Sequence, residues 1–188
     1  MELLDRDKRD GYIYDPALKG LDAYFWKTIT GTPATTGSGT SVKIRLTSAE
    51  MASFIEHEYA DAEFYVNVPV KPTAGDARHW GFKMVGATTP GAVYFDIAGT
   101  VFTVKSTDSF GNTESTTLTW VDGTYSAKEI VFRINWEPDG IFFYISGAIV
   151  AQHSTRIPSN ALALDIKNGN ADNMDTGMVV VKKAAGIV

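Results

Sequence analysis

Apolar residues stand at every second position along most of the chain from residue 42 onward. The clearest segments are Phe64–Val68, Ile130–Trp136 and Ile141–Ile145. Such alternation puts one face of an antiparallel strand against a core and the other toward solvent. About ten segments of this kind, separated by turn sequences such as Glu137–Gly140, are typical of a sandwich or jelly roll. The chain is therefore predicted to be all-β, with two antiparallel sheets in a jelly-roll sandwich.

The inward positions of these strands predict the core between the two sheets. We expect the following residues to pack it: Phe64, Val66, Val68, Phe82, Phe95, Phe132, Ile134, Trp136, Phe143 and Ile145. One segment does not alternate. Ala49–His57 is predicted as a short helix, with Ser48 as its cap and Met51, Phe54 and Ile55 on its inner face.

The first part of the chain differs from the rest in composition. A charged start is followed by a group of aromatic residues, and residues 31–41 are rich in Gly, Thr and Ser, as linkers are. We therefore predict an arm and linker over residues 1–41 and a sandwich domain over residues 42–188. The arm is expected to anchor the domain to an assembly through Tyr12, Tyr14, Tyr24, Phe25 and Trp26. In the competing interpretation these aromatics pack on their own domain.

Charge and composition exclude several classes of function. The formal net charge of −5 argues against nucleic acid as a partner. No apolar run approaches the roughly 20 residues that span a bilayer, so no membrane segment is predicted. The chain has no cysteine, which removes disulfides, thiolate metal sites and cysteine nucleophiles. The charged first residues do not have the pattern of a secretory signal, so we expect synthesis in a cytoplasm without export.

Residues 130–158 resemble the concanavalin A-like jelly rolls, a superfamily that includes laminin G domains, legume lectins and glucanases. In that pattern a strand ending in Trp136 leads through a turn to the hairpin Phe143–Gly147 and a returning Val-Ala strand. Ala62–Val68 and Trp80–Phe82 resemble early strands of the same superfamily. The resemblance implies a concanavalin A-like sandwich, and it leaves the function open because the fold carries hydrolases, lectins and structural modules.

Glycosidases of that superfamily carry Glu-x-Asp-x-x-Glu or a close variant along one strand, and the resemblance therefore directs attention to acidic strand residues. Asp61 and Glu63 share a strand face, but Tyr65 and Asn67 follow them where a third carboxylate is needed. The sequence therefore predicts no catalytic residues and a protein that is not an enzyme.

Metal and cofactor sites are not predicted either. The three histidines, His57, His79 and His153, have no metal-ligand spacing, and His79 is interpreted as a loop residue. Asn168, Asn170 and Asp172 alternate as calcium ligands do in a turning loop, but Asn and Asp are also ordinary turn residues. Calcium binding near residues 168–172 stays open, and no cofactor is expected.

The outward positions of the central strands predict a surface for a ligand or a partner. Six polar and aromatic residues share this pattern: Tyr65, Asn67, Arg133, Asn135, Phe142 and Tyr144. The favoured interpretation is a non-catalytic virion surface component, such as a phage capsid decoration or tail-associated module. Its expected partners are capsid or tail proteins, further copies of itself, or a glycan. The alternatives are an extracellular lectin-type carbohydrate-binding module and, less favoured, a glycoside hydrolase.

Overall fold

The computed structural model describes residues 11–39, 42–68, 73–84, 90–121 and 129–183. Fifteen strands and one short helix form within these ranges. The strands are β1 Gly11–Tyr14, β2 Trp26–Thr30, β3 Ala34–Thr36, β4 Lys43–Leu46, β5 Ala49–His57, β6 Ala60–Asn67, β7 Ala77–Lys83, β8 Ala92–Ala98, β9 Val101–Thr107, β10 Thr113–Leu118, β11 Ile130–Glu137, β12 Gly140–Ile145, β13 Ala148–His153, β14 Leu162–Asn168 and β15 Met174–Lys183. Helix α1 covers Pro16–Lys19, and Asp15 caps its first turn by accepting a hydrogen bond from the Ala17 amide.

The strands form two antiparallel sheets, as predicted. The first sheet has the order β13-β12-β11-β6-β15-β4-β3, and β1 also pairs with β15. The second sheet has the order β10-β9-β8-β7-β14-β5-β2. The inner faces of the two sheets pack against each other, and we call the faces that point away from this core the outer faces. No helix of the described ranges is long and apolar enough to cross a membrane.

Aromatic side chains from both sheets meet in the core. The Phe132 ring of the first sheet lies 4.8 Å from the Trp80 ring and 5.1 Å from the Phe95 ring of the second sheet, measured between centroids. All ten predicted core residues are buried. The period-two pattern therefore identifies the inward face of these strands correctly.

The helix predicted over Ala49–His57 is wrong, because this segment is strand β5. Ser48 does not cap a helix. It adopts a left-handed backbone with φ of 47°, and its amide donates to the Asn170 carbonyl. β5 then pairs with β14 on one side and with β2 on the other. Pairing along both edges satisfies the backbone of β5 and overrides its local helical pattern.

The separate N-terminal arm is also corrected by the structure. β1, β2 and β3 pair with β15, β5 and β4, so residues 11–36 contribute strands to both sheets. Tyr14, Phe25 and Trp26 are buried in the domain's own core and contact one another, and the Tyr14 and Phe25 rings stack at 5.0 Å. Tyr24 is exposed, and the side chain of Tyr12 lies outside what the structure describes. Burial of large apolar rings favours this arrangement over leaving them in water.

Candidate active site

A row of polar side chains crosses the outer face of the second sheet. The strand register places Glu50 of β5, Lys167 of β14, His79 of β7, Asp96 of β8 and Thr103 of β9 directly side by side. Each of these residues alternates with core residues in its strand. They therefore point away from the core. The five strands that carry them are adjacent in the sheet.

A second row runs beside the first. It consists of Ala52, Asp165, Gly81, Tyr94 and Lys105 on the same five strands. Asp165 therefore has a methyl group on one side and no side chain on the other.

Glu50 and His79 of the first row and Asp165 of the second row form a compact group where the two rows lie side by side. One ligand atom from each of these residues lies within 4.8 Å of the others. His79 Nε2 donates a hydrogen bond to Asp165 Oδ1, and Lys167 Nζ lies 3.1 Å from Glu50 Oε2. We call Glu50, His79 and Asp165 the acid–histidine group.

The acid–histidine group is buried although it lies on an outer face. The exposed fraction is 8% for Glu50, 8% for His79 and 1% for Asp165. Asp165 Oδ2 is buried and has no hydrogen-bond partner among the described residues. An unpaired buried polar atom is costly, and such atoms in native proteins occur at sites of function or of bound water and ions.

Two further residues shape this site. The Tyr94 ring lies 5.5 Å from the His79 ring, and burial, together with the charges of Asp96 and Asp165, raises the pKa of Tyr94 to about 12. Tyr94 is therefore neutral at physiological pH and offers an aromatic face and a hydroxyl group. Lys105 Nζ donates a hydrogen bond to Asp96 Oδ2 at 2.6 Å, and its positive charge compensates the negative charge of Asp96.

The six residues predicted for binding lie together on the outer face of the first sheet. Arg133 is opposite Tyr144, Asn135 is opposite Phe142, and Tyr65 is opposite Val131. All six residues, including Asn67, are half-buried. The structure brings this surface together as expected, and its role in binding stays a prediction.

An ion pair and a hydrogen bond engage the two acidic side chains on the outer face of the first sheet. Arg133 donates from Nε and Nη2 to the two oxygens of Asp61, both at 2.7 Å, and its guanidinium lies 4.9 Å from the centre of the Tyr144 ring. Tyr65 donates to Glu63 Oε2 at 3.5 Å. Asp61 and Glu63 are thus occupied by neighbouring groups of this surface.

The residues considered for calcium have other contacts. Asn168 is buried, its Oδ1 accepts from Arg78 Nε, and its Nδ2 donates to the Leu46 and Asp172 carbonyls. The Asn170 amide also donates to Asn168 Oδ1. Asn168 therefore connects β14 to β7, to β4 of the other sheet and to the loop that follows β14, and its oxygen already accepts from two donors.

The other two histidines lie away from the acid–histidine group. Burial lowers the pKa of His57 to about 4, and its ring packs edge-on against Phe82. His153 is buried and hydrogen-bonded by Ser106 and Thr116, and burial lowers its pKa as well. Both are neutral near pH 7; His153 is fully buried and His57 is half-buried.

Single acidic residues within apolar strands are the sequence signal that could have located the acid–histidine group. Asp165 stands between Leu164 and Ile166, and Asp96 stands between Phe95 and Ile97. A lone charge within an apolar strand marks an outward position. The prediction of a helix over β5 hides Glu50, and the interpretation of His79 as a loop residue is wrong because it lies in β7.

Solved structures with this fold are numerous. The chain is similar to a β-glucanase from Bacillus licheniformis, with a TM-score of 0.68 and 15% identity over 92% of this chain and 98% of that one. It is similar to the catalytic domain of an endo-1,3-β-glucanase (laminarinase) from Thermotoga petrophila, with a TM-score of 0.72 and 12% identity over 95% and 100% of the two chains. It is also similar to the transglycosylase Crh5, with a TM-score of 0.67 and 13% identity over 93% and 84%. No family model and no curated protein matches the chain.

These comparisons correct two predictions. The solved structures named above are glycoside hydrolases and a transglycosylase, which contradicts a non-catalytic virion component. The same structures contradict the prediction that the chain is not an enzyme, and the acid–histidine group is compatible with a catalytic site. The virion and capsid assignment has no support here. At these identities the likeness shows the fold alone, an antiparallel jelly-roll sandwich of two sheets.

Proposed function

We propose that the chain is a carbohydrate-active enzyme that cleaves or transfers β-linked glucan chains on the outer face of its second sheet. The observation that carries the proposal is the approach of Glu50 and Asp165, whose oxygens lie within 4.8 Å of each other. Retaining glycosidases hold their two carboxyl groups about 5–5.5 Å apart. The glucanases that share the fold support a glucan as substrate, and the transglycosylase supports transfer beside cleavage.

The environments of the two carboxylates assign their roles. Asp165 Oδ1 is held by His79, which leaves the unpaired Oδ2 as the oxygen that attacks the sugar. Because Oδ2 is buried, the side chains that cover it must move aside when the substrate binds. The Glu50 side chain is more exposed than that of Asp165, at 11% against 1%, so it can reach the leaving-group oxygen. We assign Asp165 as the nucleophile and Glu50 as the proton donor. Lys167 Nζ lies 3.1 Å from Glu50 Oε2 and favours the ionised carboxylate, so this role requires the half-exposed lysine to turn away into solvent.

The reaction follows from these assignments. Glu50 protonates the glycosidic oxygen while Asp165 Oδ2 attacks the anomeric carbon, which forms a glycosyl ester and releases the leaving sugar. The ionised Glu50 then takes a proton from water, or from a sugar hydroxyl in transfer, and that oxygen displaces Asp165. Two displacements retain the configuration at the anomeric carbon. Tyr94, beside His79, offers a ring on which a sugar can stack.

The test is hydrolysis of laminarin and of mixed-linkage β-glucan, followed by release of reducing ends and by NMR of the first product. We expect turnover with a β-anomer as the first product. Asp165→Asn and Glu50→Gln should each lower the rate by at least about 100-fold, the scale of acid–base catalysis. Glu63→Gln is the matched control, because it replaces a carboxylate on the outer face of the first sheet by its amide.

Three results would contradict the proposal. Binding of glucan without turnover by the parent chain would reject catalysis. Loss of activity in Glu63→Gln, with Asp165→Asn unaffected, would place the chemistry on the other sheet. An α-anomer as first product would exclude the double displacement. Circular dichroism of each variant separates loss of catalysis from loss of fold.

A further inference from the structure

We propose that the acid–histidine group is also a binding site for a divalent transition metal ion, with Zn²⁺ as the best candidate. Glu50, His79 and Asp165 each offer one ligand atom, and these atoms lie within 4.8 Å of one another. All three residues are buried. This convergence is independent of any sugar chemistry at the site.

The backbone holds the three ligands in place. His79 and Glu50 lie on β7 and β5, the two strands that pair with β14, which carries Asp165. The ligands therefore come from three adjacent strands with fixed registers. Ala52 and Gly81, the cross-strand neighbours of Asp165, contribute at most a methyl group and place no competing charged group beside it.

Asp165 Oδ2 is the ligand atom that most favours a bound cation. This atom is buried and has no hydrogen-bond partner among the residues that the structure describes, while Asp165 as a whole is only 1% exposed. A buried carboxylate needs compensation for the water it has lost. A metal cation beside Glu50 and His79 supplies it.

The donor set selects the type of metal. One imidazole nitrogen and two carboxylates suit Zn²⁺ and related ions, whereas Ca²⁺ and Mg²⁺ prefer oxygen ligands throughout. Three protein ligands leave a fourth position of a tetrahedral ion for water. When the ion binds His79 Nε2, the proton on this nitrogen is released to water and the neutral imidazole carries its proton on Nδ1.

The ammonium group of Lys167 competes with the metal for Glu50. Its Nζ lies 3.1 Å from Glu50 Oε2, and its side chain is 35% exposed. A lysine with this exposure can turn its ammonium group into solvent at little cost. Lys167 is therefore expected to leave Glu50 when the ion binds, and Lys167→Met should strengthen binding.

The proposed metal ion and the proposed glycosyl ester would both form on Asp165 Oδ2. A Zn²⁺ ion on Asp165 Oδ2 prevents attack on a sugar, so zinc should inhibit the enzyme. This consequence rests on the proposed function, whereas the binding of the metal does not.

The test is titration of the chain, purified without a histidine tag, with Zn²⁺ in a calorimeter and with Co²⁺ by visible absorption. We expect one ion per chain. His79→Gln should weaken binding at least about tenfold, and Asp165→Asn should do the same. Glu63→Gln should bind as the parent does. The visible cobalt spectrum reports the coordination number and geometry of the bound ion and does not depend on activity.

Absence of binding by the parent chain would overturn the site, as would unchanged binding in both His79→Gln and Asp165→Asn. Binding that is lost in Glu63→Gln would place the ion elsewhere. The glucan assay with added Zn²⁺ is scored separately. A chain that binds zinc but has no turnover keeps the metal site and rejects the proposed enzyme, and the reverse result rejects the metal alone.

Discussion

The two outer faces of the sandwich arise from the same alternation but differ in burial. On the first sheet, Arg133 makes a two-point ion pair with Asp61, and its side chain is 36% exposed. On the second sheet, the side chains of His79 and Asp165 are 10% and 1% exposed. The first face has satisfied charges in contact with water. The second has charges removed from water, one with an unpaired oxygen.

This difference shows where chemistry can occur on such a fold. A paired, hydrated carboxylate gains little from reacting, since water and its partner already stabilise it. A carboxylate removed from water interacts strongly with whatever enters its site. A polar surface therefore does not identify a functional face by itself, and the burial of its outward polar groups is the more informative property.

The largest expected effect comes from the core that both faces share. Phe132→Ala should lower the free energy of unfolding by about 3–5 kcal/mol, because this ring is buried against rings of the second sheet. Phe143→Ala should cost a similar amount. Urea denaturation at pH 7 measures the change. A loss below about 1 kcal/mol would mean that the core does not couple the two sheets as described.

The next effect tests the buried pair of the second face. His79→Ala leaves the Asp165 carboxylate buried without its donor, and breaking a buried pair costs on the order of 3 kcal/mol. Thermal and urea unfolding measure this loss. Addition of Zn²⁺ should not restore the stability, because the variant also lacks the metal-ligating nitrogen. A variant as stable as the parent would contradict the burial of this pair.

Low pH should reduce the free energy of unfolding, because His57 of the second sheet takes up a proton more readily in the unfolded chain than in the folded one. Its pKa is lowered by burial from 6.5 to about 4, so the unfolded chain binds a proton in this range and the folded chain does not. Stability contributed by neutral His57 is complete above pH 6.5 and falls as the pH drops toward 4. The expected loss is on the order of 2 kcal/mol.

Urea denaturation at about pH 7 and at about pH 4.5, on either side of the range in which the unfolded histidine titrates, measures this effect. His57→Gln should reduce the pH dependence, and the remainder is expected from His153 of the first sheet, whose pKa is lowered in the same direction. An unchanged pH dependence in His57→Gln would contradict the assignment.

The smallest effect is expected on the hydrated face. Arg133→Ala removes an ion pair in contact with water, which is worth at most about 1 kcal/mol, and salt should reduce that contribution further. Urea unfolding at low and high ionic strength measures it. If Arg133→Ala lowered the free energy of unfolding as much as His79→Ala, the ion pairs of the two outer faces would not differ in strength as described.

The sequence predicts the parts of the fold that depend on local alternation. Phe64, Phe132 and Phe143 are placed in the core because their neighbours along the strand are polar or outward-facing. The pattern misses β5, since the pairing of this strand with β2 and β14 outweighs a local pattern that suits a helix. Glu50 and Asp165 could not be brought together from the sequence, because their contact depends on the order of strands in the sheet.

The pairing of β1 with β15 and of β6 with both β11 and β15 has a consequence for how the chain folds. A growing chain makes Gly11–Tyr14 and Ala60–Asn67 long before Met174–Lys183, so the first sheet cannot close until its last strand has been synthesised. Distant pairing of this kind slows folding and exposes strand edges that can join neighbouring chains. Recombinant chains that stop before Met174 should therefore aggregate, whereas slower synthesis or a chaperone that shields open edges should improve the yield of the whole domain.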